Sequence, residues 1–266
     1  MPTPHETFRA DLFLDQVVVI TGGGTGIGRE LALRLAGLGA DIVVAGRRPD
    51  PLEEAAGAVR ALGRRALAVP TDVRDAAQCA ELVRRTVEEF GRLDVLICGA
   101  AGNFICPSIA LTPNGWRSVV DIILNGTFFS AQAAARHMID HGGGQILALT
   151  ATYAWTGGPA TAPSASAKAA VNTLVQTLAV EWAGAGIRVN AVAPGPVDTE
   201  KSRQNLWPDP DVRERIRRTI PLGRFGGPDT VVDACVFLLS PAAAFITGEI
   251  LVVDGGQWLN KGLIAL

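Results

Sequence analysis

The chain has 266 residues, a formal net charge of −2, 48% apolar residues and 30 glycines. That length holds one large domain or at most two small ones, and the composition suits a globular α/β protein. A charge so near zero, with no basic tract to neutralise phosphates, argues against a nucleic-acid partner, and RERIRR at 213–218 reads as the solvated face of a helix.

Short apolar runs alternate with longer helical patterns. QVVVITG (16–22) reads as a buried strand entering a glycine-rich turn, and GRELALRLAGLGA (28–40) as an amphipathic helix stopped by Gly39. DIVVAGRR (41–48) is the second strand, PLEEAAGAVRALG (51–63) the next helix, RALAVPTDV (65–73) the third strand, AAQCAELVRRTVEEFG (76–91) the third helix and LDVLICGA (93–100) the fourth strand. A helix near Trp116–His137 follows, then a strand at QILALTA (145–151) and a long helix from about Ser166 to Ala183. IRVNAVAPG (187–195) and EILVVDGG (249–256) are the last strands. The segment 196–221 has weaker periodicity and reads as a cap or lid. This alternation predicts an α/β fold: a Rossmann-type, doubly wound parallel sheet with helices on both faces. No linker or composition break divides it, so residues 1–266 are expected to form a single domain carrying the cap at about 196–221.

Cys79, Cys98, Cys106 and Cys235 show no CxxC spacing and have no histidine nearby, so no metal site is expected and a reduced, cytoplasmic setting is the simplest reading. The N-terminal sixteen residues carry acidic groups and no long apolar run, so neither a signal nor a transit peptide is expected. No stretch reaches the roughly 18–20 apolar residues of a membrane span, so no membrane partner is expected. The final GLIAL matches no common targeting tail.

TGGGTGIG (21–28) lies between a strand and a helix. Glycines serve a tight turn there and let the backbone approach a pyrophosphate, while the helix N-terminus offers free N–H groups and the positive end of its dipole. Gly22, Gly24, Thr25, Gly26 and Ile27 are the candidate contacts. The second strand ends in Gly46, Arg47 and Arg48, with no carboxylate to bind ribose hydroxyls. Two guanidiniums favour the 2′-phosphate of NADP, although a solvated arginine pair would look the same.

The spacing TGxxxGxG resembles the short-chain dehydrogenase/reductase superfamily, and the resemblance runs from Val17 to Gly256 through TDV (71–73), AAG (100–102), NGTF (125–128), SASAKAAV (164–171), RVNAVAPGPV (188–197) and TGEILVVDGG (247–256). It implies that Asp72 and Val73 hold the adenine ring. It also implies that Pro194, Gly195, Pro196, Val197 and Thr199 lie at the nicotinamide carboxamide, and that Lys168 grips the nicotinamide ribose. Most members carry a YxxxK pair, a serine and a helical asparagine. Here Ser164 stands in the tyrosine position, Ala151 in the serine position and Ile123 in the asparagine position. One branch lacks YxxxK and is active, the 2,4-dienoyl-CoA reductases, and this chain resembles it in AAGNF (100–104), CP (106–107), LTPNGW (111–116), Tyr153 and PSASAK (163–168).

That branch implies reduction of a 2,4-dienoyl-CoA by NADPH, with hydride reaching C5 and negative charge developing on the thioester oxygen. Tyr153 and Asn103 would stabilise that oxygen. Lys168 would hold the cofactor and Ser164 would support cofactor or substrate. Protonation at C2 by water would give a 3-enoyl-CoA. Phe104 and Thr112 would line the acyl-CoA site, and Arg74 and, more loosely, Arg203 would contact it. By the same resemblance a homotetramer is expected, built partly on the helix bearing Ala167, Ala169, Ala170, Val171, Leu174 and Leu178, although burial against the sheet would explain the same residues. A reductase of another thioester or ketone, and a silent nucleotide-binding homologue, are the alternatives.

Overall fold

The computed structural model describes residues 7–205, 207 and 209–260. Seven strands, β1 (Val17–Thr21), β2 (Asp41–Gly46), β3 (Ala66–Pro70), β4 (Val95–Cys98), β5 (Gly144–Leu149), β6 (Ile187–Pro194) and β7 (Ile250–Val253), form one sheet in the order β3-β2-β1-β4-β5-β6-β7. Every pairing is parallel. Val, Ile and Ala dominate the strands because both faces are covered, as parallel sheets require.

Successive side chains point to opposite faces, and the two cores separate on that alternation. Val18, Ile20, Ile42 and Val44 join Leu31 and Leu35 of α1 (Gly26–Gly37), Leu52 and Val59 of α2 (Pro49–Ala61) and Val232 and Val236 of α10 (Pro228–Leu239). Val17, Val19, Val43 and Ala45 meet Leu82 of α3 (Ala76–Phe90), Val119 of α4 (Pro113–Val120), Met138 of α5 (Gly126–Asp140) and Val171 and Val175 of α7 (Ala162–Trp182).

Several boundaries differ from the sequence expectation. Helix α1 begins at Gly26, because the glycine turn feeds straight into it. Helix α7 begins at Ala162 with proline in its first turn, so Ser164 and Lys168 both lie inside it. The helix expected near Trp116–His137 is three pieces: α4, a π-helical stretch at Asp121–Asn125, and α5. The segment 196–221 carries two short helices, α8 (Glu200–Asn205) and α9 (Pro210–Thr219). Its residues 206 and 208 lie outside the described residues, as do 1–6 and 261–266. Helix α10 has no counterpart in the sequence reading. Of the small apolar residues on α7, Ala167, Val171 and Leu178 are buried in the core, while Ala169, Ala170 and Leu174 are only half-buried. Among the described residues no helix is long and apolar enough to cross a membrane.

Candidate active site

The strand order reverses between β1 and β4, and the crevice beyond the carboxyl ends of such strands is where open α/β sheets bind ligands. A cleft of about 410 Å³ opens there, lined among others by Gly22, Gly24, Thr25, Arg47, Arg48, Asp72 and Val73. Gly22 has φ +73°, its N–H donates to the Ala45 carbonyl at 2.7 Å, and a Cβ on it would stand 2.7 Å from the Gly99 carbonyl oxygen. Gly26, at φ +58°, has open space where its Cβ would be. These residues and the free start of α1 fit a dinucleotide, with room for a pyrophosphate at the backbone N–H groups. Ile27 follows in the first turn of α1, half-buried.

Arg47 and Arg48 are exposed and pair with no carboxylate among the described residues. The Asp72 carboxylate accepts from Arg74 Nε at 2.9 Å, and this guanidinium, with a smaller contribution from Arg47, holds the carboxyl below its usual range. Arg74 is thus committed to Asp72, and it faces a neighbouring hollow rather than the cleft.

On the other side of the crevice β5 runs through Thr150–Thr152 into a one-turn helix, α6 (Tyr153–Thr156). The Tyr153 hydroxyl lies 3.0 Å from Ser164 Oγ. Ser164 is fully buried, and Lys168 sits one turn further along the same face of α7. Lys168 Nζ donates to the Leu149 carbonyl at the end of β5. Burial lowers the ammonium to about 8, opposed only weakly by the neighbouring Cys98 thiol. Burial raises the Tyr153 phenol, and the Ser164 hydrogen bond works against that rise. The phenol is therefore protonated at neutral pH, which makes it a hydrogen-bond donor.

The structure brings Tyr153, Ser164 and Lys168 together. Asn103 stands on the loop after β4, with its side-chain carbonyl accepting from the Phe104 N–H at 2.9 Å and no hydrogen bond to Tyr153 among the described residues. That loop is tied across the crevice, since Cys106 N–H donates to the Ala160 carbonyl at 3.0 Å, between Tyr153 and Ser164 in sequence. Ala151 is buried and supplies no hydroxyl. Ile123 is buried in the π-helical stretch, where its carbonyl accepts from the Thr127 hydroxyl at 2.6 Å. Cys98 and Gly99, at the end of β4, leave the strand fastened to β1: the Gly99 N–H donates to the Thr21 carbonyl at 3.1 Å and the Ala100 N–H to the Thr21 hydroxyl at 3.2 Å. Burial pushes the Cys98 thiol up to about 12, so it is inert near neutrality.

Other candidates have local partners. The Thr112 hydroxyl accepts from the Gly115 N–H at 3.0 Å and caps α4; the Phe104 ring is exposed nearby. Pro194 accepts from the Thr152 N–H at 3.1 Å, which ties the end of β6 to the residue before Tyr153. A Cβ on Gly195 would collide with Asp254, and Val197 pairs with Gly226, next to a small hollow that Pro196 lines. Thr199 and Ser202 cap the first turn of α8 reciprocally. Arg203 faces Asp198 at 3.3 Å, as does Arg213 at 2.6 Å, so its charge is spent inside the cap.

Sequence reasoning missed Thr71, Ala100, Ala101 and Ile122 in the cleft and the Leu149 carbonyl under Lys168. Thr71, Ala100 and Ala101 lie within TDV and AAG, motifs already noted; Ile122 lies in none of them, and a backbone carbonyl has no side-chain signal.

A family model described as enoyl-(acyl carrier protein) reductase matches residues 22–257. A Bacillus subtilis protein named as a probable 2,4-dienoyl-CoA reductase, (2E)-enoyl-CoA-producing, is 45% identical over 92% of this chain and 97% of its own. A Danio rerio protein named peroxisomal 2,4-dienoyl-CoA reductase, (3E)-enoyl-CoA-producing, is 38% identical over 96% of this chain and 85% of its own. The solved structure of a short chain dehydrogenase from Bacillus anthracis superposes with a TM-score of 0.85 at 42% identity, covering 93% of this chain and 98% of that one.

Proposed function

The chain belongs to the short-chain dehydrogenase/reductase family, in its 2,4-dienoyl-CoA reductase branch, and from that premise we propose that it reduces 2,4-dienoyl-CoA thioesters with NADPH to 3-enoyl-CoA. It is an oxidoreductase with a nicotinamide nucleotide cofactor. The preference for NADPH is supported by Arg47 and Arg48, two guanidiniums on the cleft that make no salt bridge among the described residues.

One observation carries the reading of the chemistry: the phenol of Tyr153 occupies the crevice at 3.0 Å from Ser164, one helical turn before Lys168. The bound, reduced dinucleotide supplies a hydride, which C5 of the dienoyl group receives. Electron density then moves through the conjugated system to the thioester oxygen. The protonated phenol donates to that oxygen, and the side-chain amide of Asn103 is the second donor, its carbonyl being already held by the Phe104 N–H. Preorganised donors of this kind stabilise charge where it develops. Ser164 orients the phenol, and Lys168 holds the nicotinamide ribose. Water protonates C2 of the dienolate to give the 3-enoyl product. A proton placed at C4 instead would give the 2-enoyl isomer, and the two relatives are named for different products.

The reading includes an assembly and a setting. The family resemblance supports a homotetramer, for which exposed Val180 on α7 and Phe245 beyond α10 leave apolar surface, and the bacterial relative supports a cytoplasmic location. Purified protein mixed with NADPH and a 2,4-dienoyl-CoA should consume both, followed by absorbance, and NMR of the product should show the double bond at C3. Turnover of a 3-oxoacyl or 2-enoyl thioester in place of the dienoyl substrate would sink the assignment. A 2-enoyl product would sink only the protonation step.

A further inference from the structure

Helix α6, which carries Tyr153, is a single turn of four residues with no side-chain cap, ended by Gly157 at φ +67°. A turn that short is unstable alone, so the place of the phenol depends on what holds α6 from outside. On one side that is the Ser164 hydroxyl. Trp155, two residues after Tyr153, leaves the nearly opposite side of the turn, since residues two apart on a helix do not face each other. There its indole stacks on that of Trp258, with ring centroids 5.4 Å apart and planes 28° from parallel.

Trp258 is itself anchored. It sits in a 3₁₀ turn at Gln257–Leu259, just beyond β7. The Asp254 carboxylate accepts from the Gly256 N–H at 2.8 Å and from the Trp258 N–H at 2.7 Å, which fixes the start of the turn. The turn is also fastened to the end of α9: the Gln257 amide donates to the Thr219 hydroxyl at 2.8 Å, and the Asn260 amide to the Thr219 carbonyl at 3.1 Å. Trp258 therefore offers a half-buried indole from a base tied to both the sheet and the cap. Trp155, by contrast, is 44% exposed and belongs to neither core of the described residues. Its indole is restrained by the stack rather than by core packing.

We propose that Trp258 is a positioning residue for the reaction: through Trp155 it braces α6 from behind and keeps the Tyr153 phenol aimed at the thioester oxygen. The proposal rests on the role given to Tyr153 above and adds the group that holds it in place. A double-mutant cycle tests it. Trp258→Leu keeps apolar bulk and removes the ring. It should lower kcat for the dienoyl-CoA about tenfold, the order of a lost aromatic pair, and leave KM for NADPH unchanged. Trp258→Phe should recover most of the loss. Trp155→Leu, at the exposed partner, should reproduce it, and it carries the same cycle if Trp258→Leu does not fold. In a Tyr153→Phe protein either leucine replacement should change kcat little, because the donor it aims is already gone. Equal fold-losses in the two backgrounds would overturn the proposal. So would a kcat that stays at the wild-type value while Tm falls, which is what a merely structural role predicts. An undiminished kcat in Tyr153→Phe alone would remove the assigned donor and the brace with it. A large loss in Tyr153→Phe that multiplies with the leucine loss removes the brace and leaves the donor.

Discussion

The Tyr153 hydroxyl and Ser164 Oγ stand 3.0 Å apart, joining a one-turn helix after β5 to the buried first turn of α7. In the proposed reaction the pair divides its work: Tyr153 is the hydrogen-bond donor to the thioester oxygen, and Ser164 orients it.

Tyr153→Phe keeps the ring and removes the donor. It should lower kcat by about 10²–10³-fold, the usual effect of deleting one oxyanion donor, and leave NADPH affinity near that of the wild type. Ser164→Ala should cost less, because the phenol remains. Stopped-flow turnover and fluorescence titration with NADPH read the two effects separately, and a larger loss from Ser164→Ala would reverse the assigned roles.

Lys168 should give the fold a pH-dependent penalty. Burial brings its ammonium to about 8, whereas an unfolded lysine titrates near ~10.4. Between those values the unfolded chain binds more protons than the folded one, so stability rises with pH, and the penalty is fully present below about 8. The Tm of the cofactor-free protein should gain on that of Lys168→Met between pH 8 and 10. A constant difference between the two would show that the lysine is not desolvated.

Arg47 and Arg48 are expected to read the 2′-phosphate. Changing both to alanine should raise KM for NADPH by about 10–100-fold, the order of one or two charge-assisted contacts, and change KM for NADH little. Parallel kinetics with the two cofactors check the ratio, and equal losses for both would point to general damage to the cleft.

Gly22 combines φ +73° with a neighbouring carbonyl oxygen 2.7 Å from where a Cβ would sit. Gly22→Ala should destabilise the protein by roughly 1–3 kcal/mol, the range for a residue forced into a sparsely populated conformation, and widen the nucleotide turn. Urea unfolding measures the first effect, and NADPH titration the second.

Much of the fold was legible because parallel strands announce themselves as short Val/Ile runs and the glycine turn sits directly after one. Helix α10 was not, since Val231, Val232, Cys235, Val236, Leu238 and Leu239 are all buried and leave a weak polar stripe to mark a helical period. Helix α9 was legible only as the solvated face RERIRR, because it is charged on most sides and has no apolar stripe to mark where it begins and ends. The π-helical stretch at 121–125 differs from its flanks by one hydrogen-bond step, which the sequence period does not resolve. In the site, the residue types at 103, 153, 164 and 168 could be read, but the contacts that organise them could not. The Leu149 carbonyl under Lys168 is backbone, and the Tyr153–Ser164 bond depends on where α7 begins.

Ser164 is fully enclosed, with its Oγ against the phenol of Tyr153. A phenol ring grown from position 164 would need the volume that the Tyr153 ring already fills, and overpacked interiors are destabilised. The crevice therefore seats one tyrosine at a time. In this chain, moving a tyrosine from 153 to 164 therefore takes two replacements, one that empties a seat and one that fills the other. Restoring YxxxK here with Ser164→Tyr alone would crowd the Tyr153 ring; adding a small residue at 153 would relieve the crowding, and buried Ala151 and Ile123 would still lack the hydroxyl and amide that accompany YxxxK.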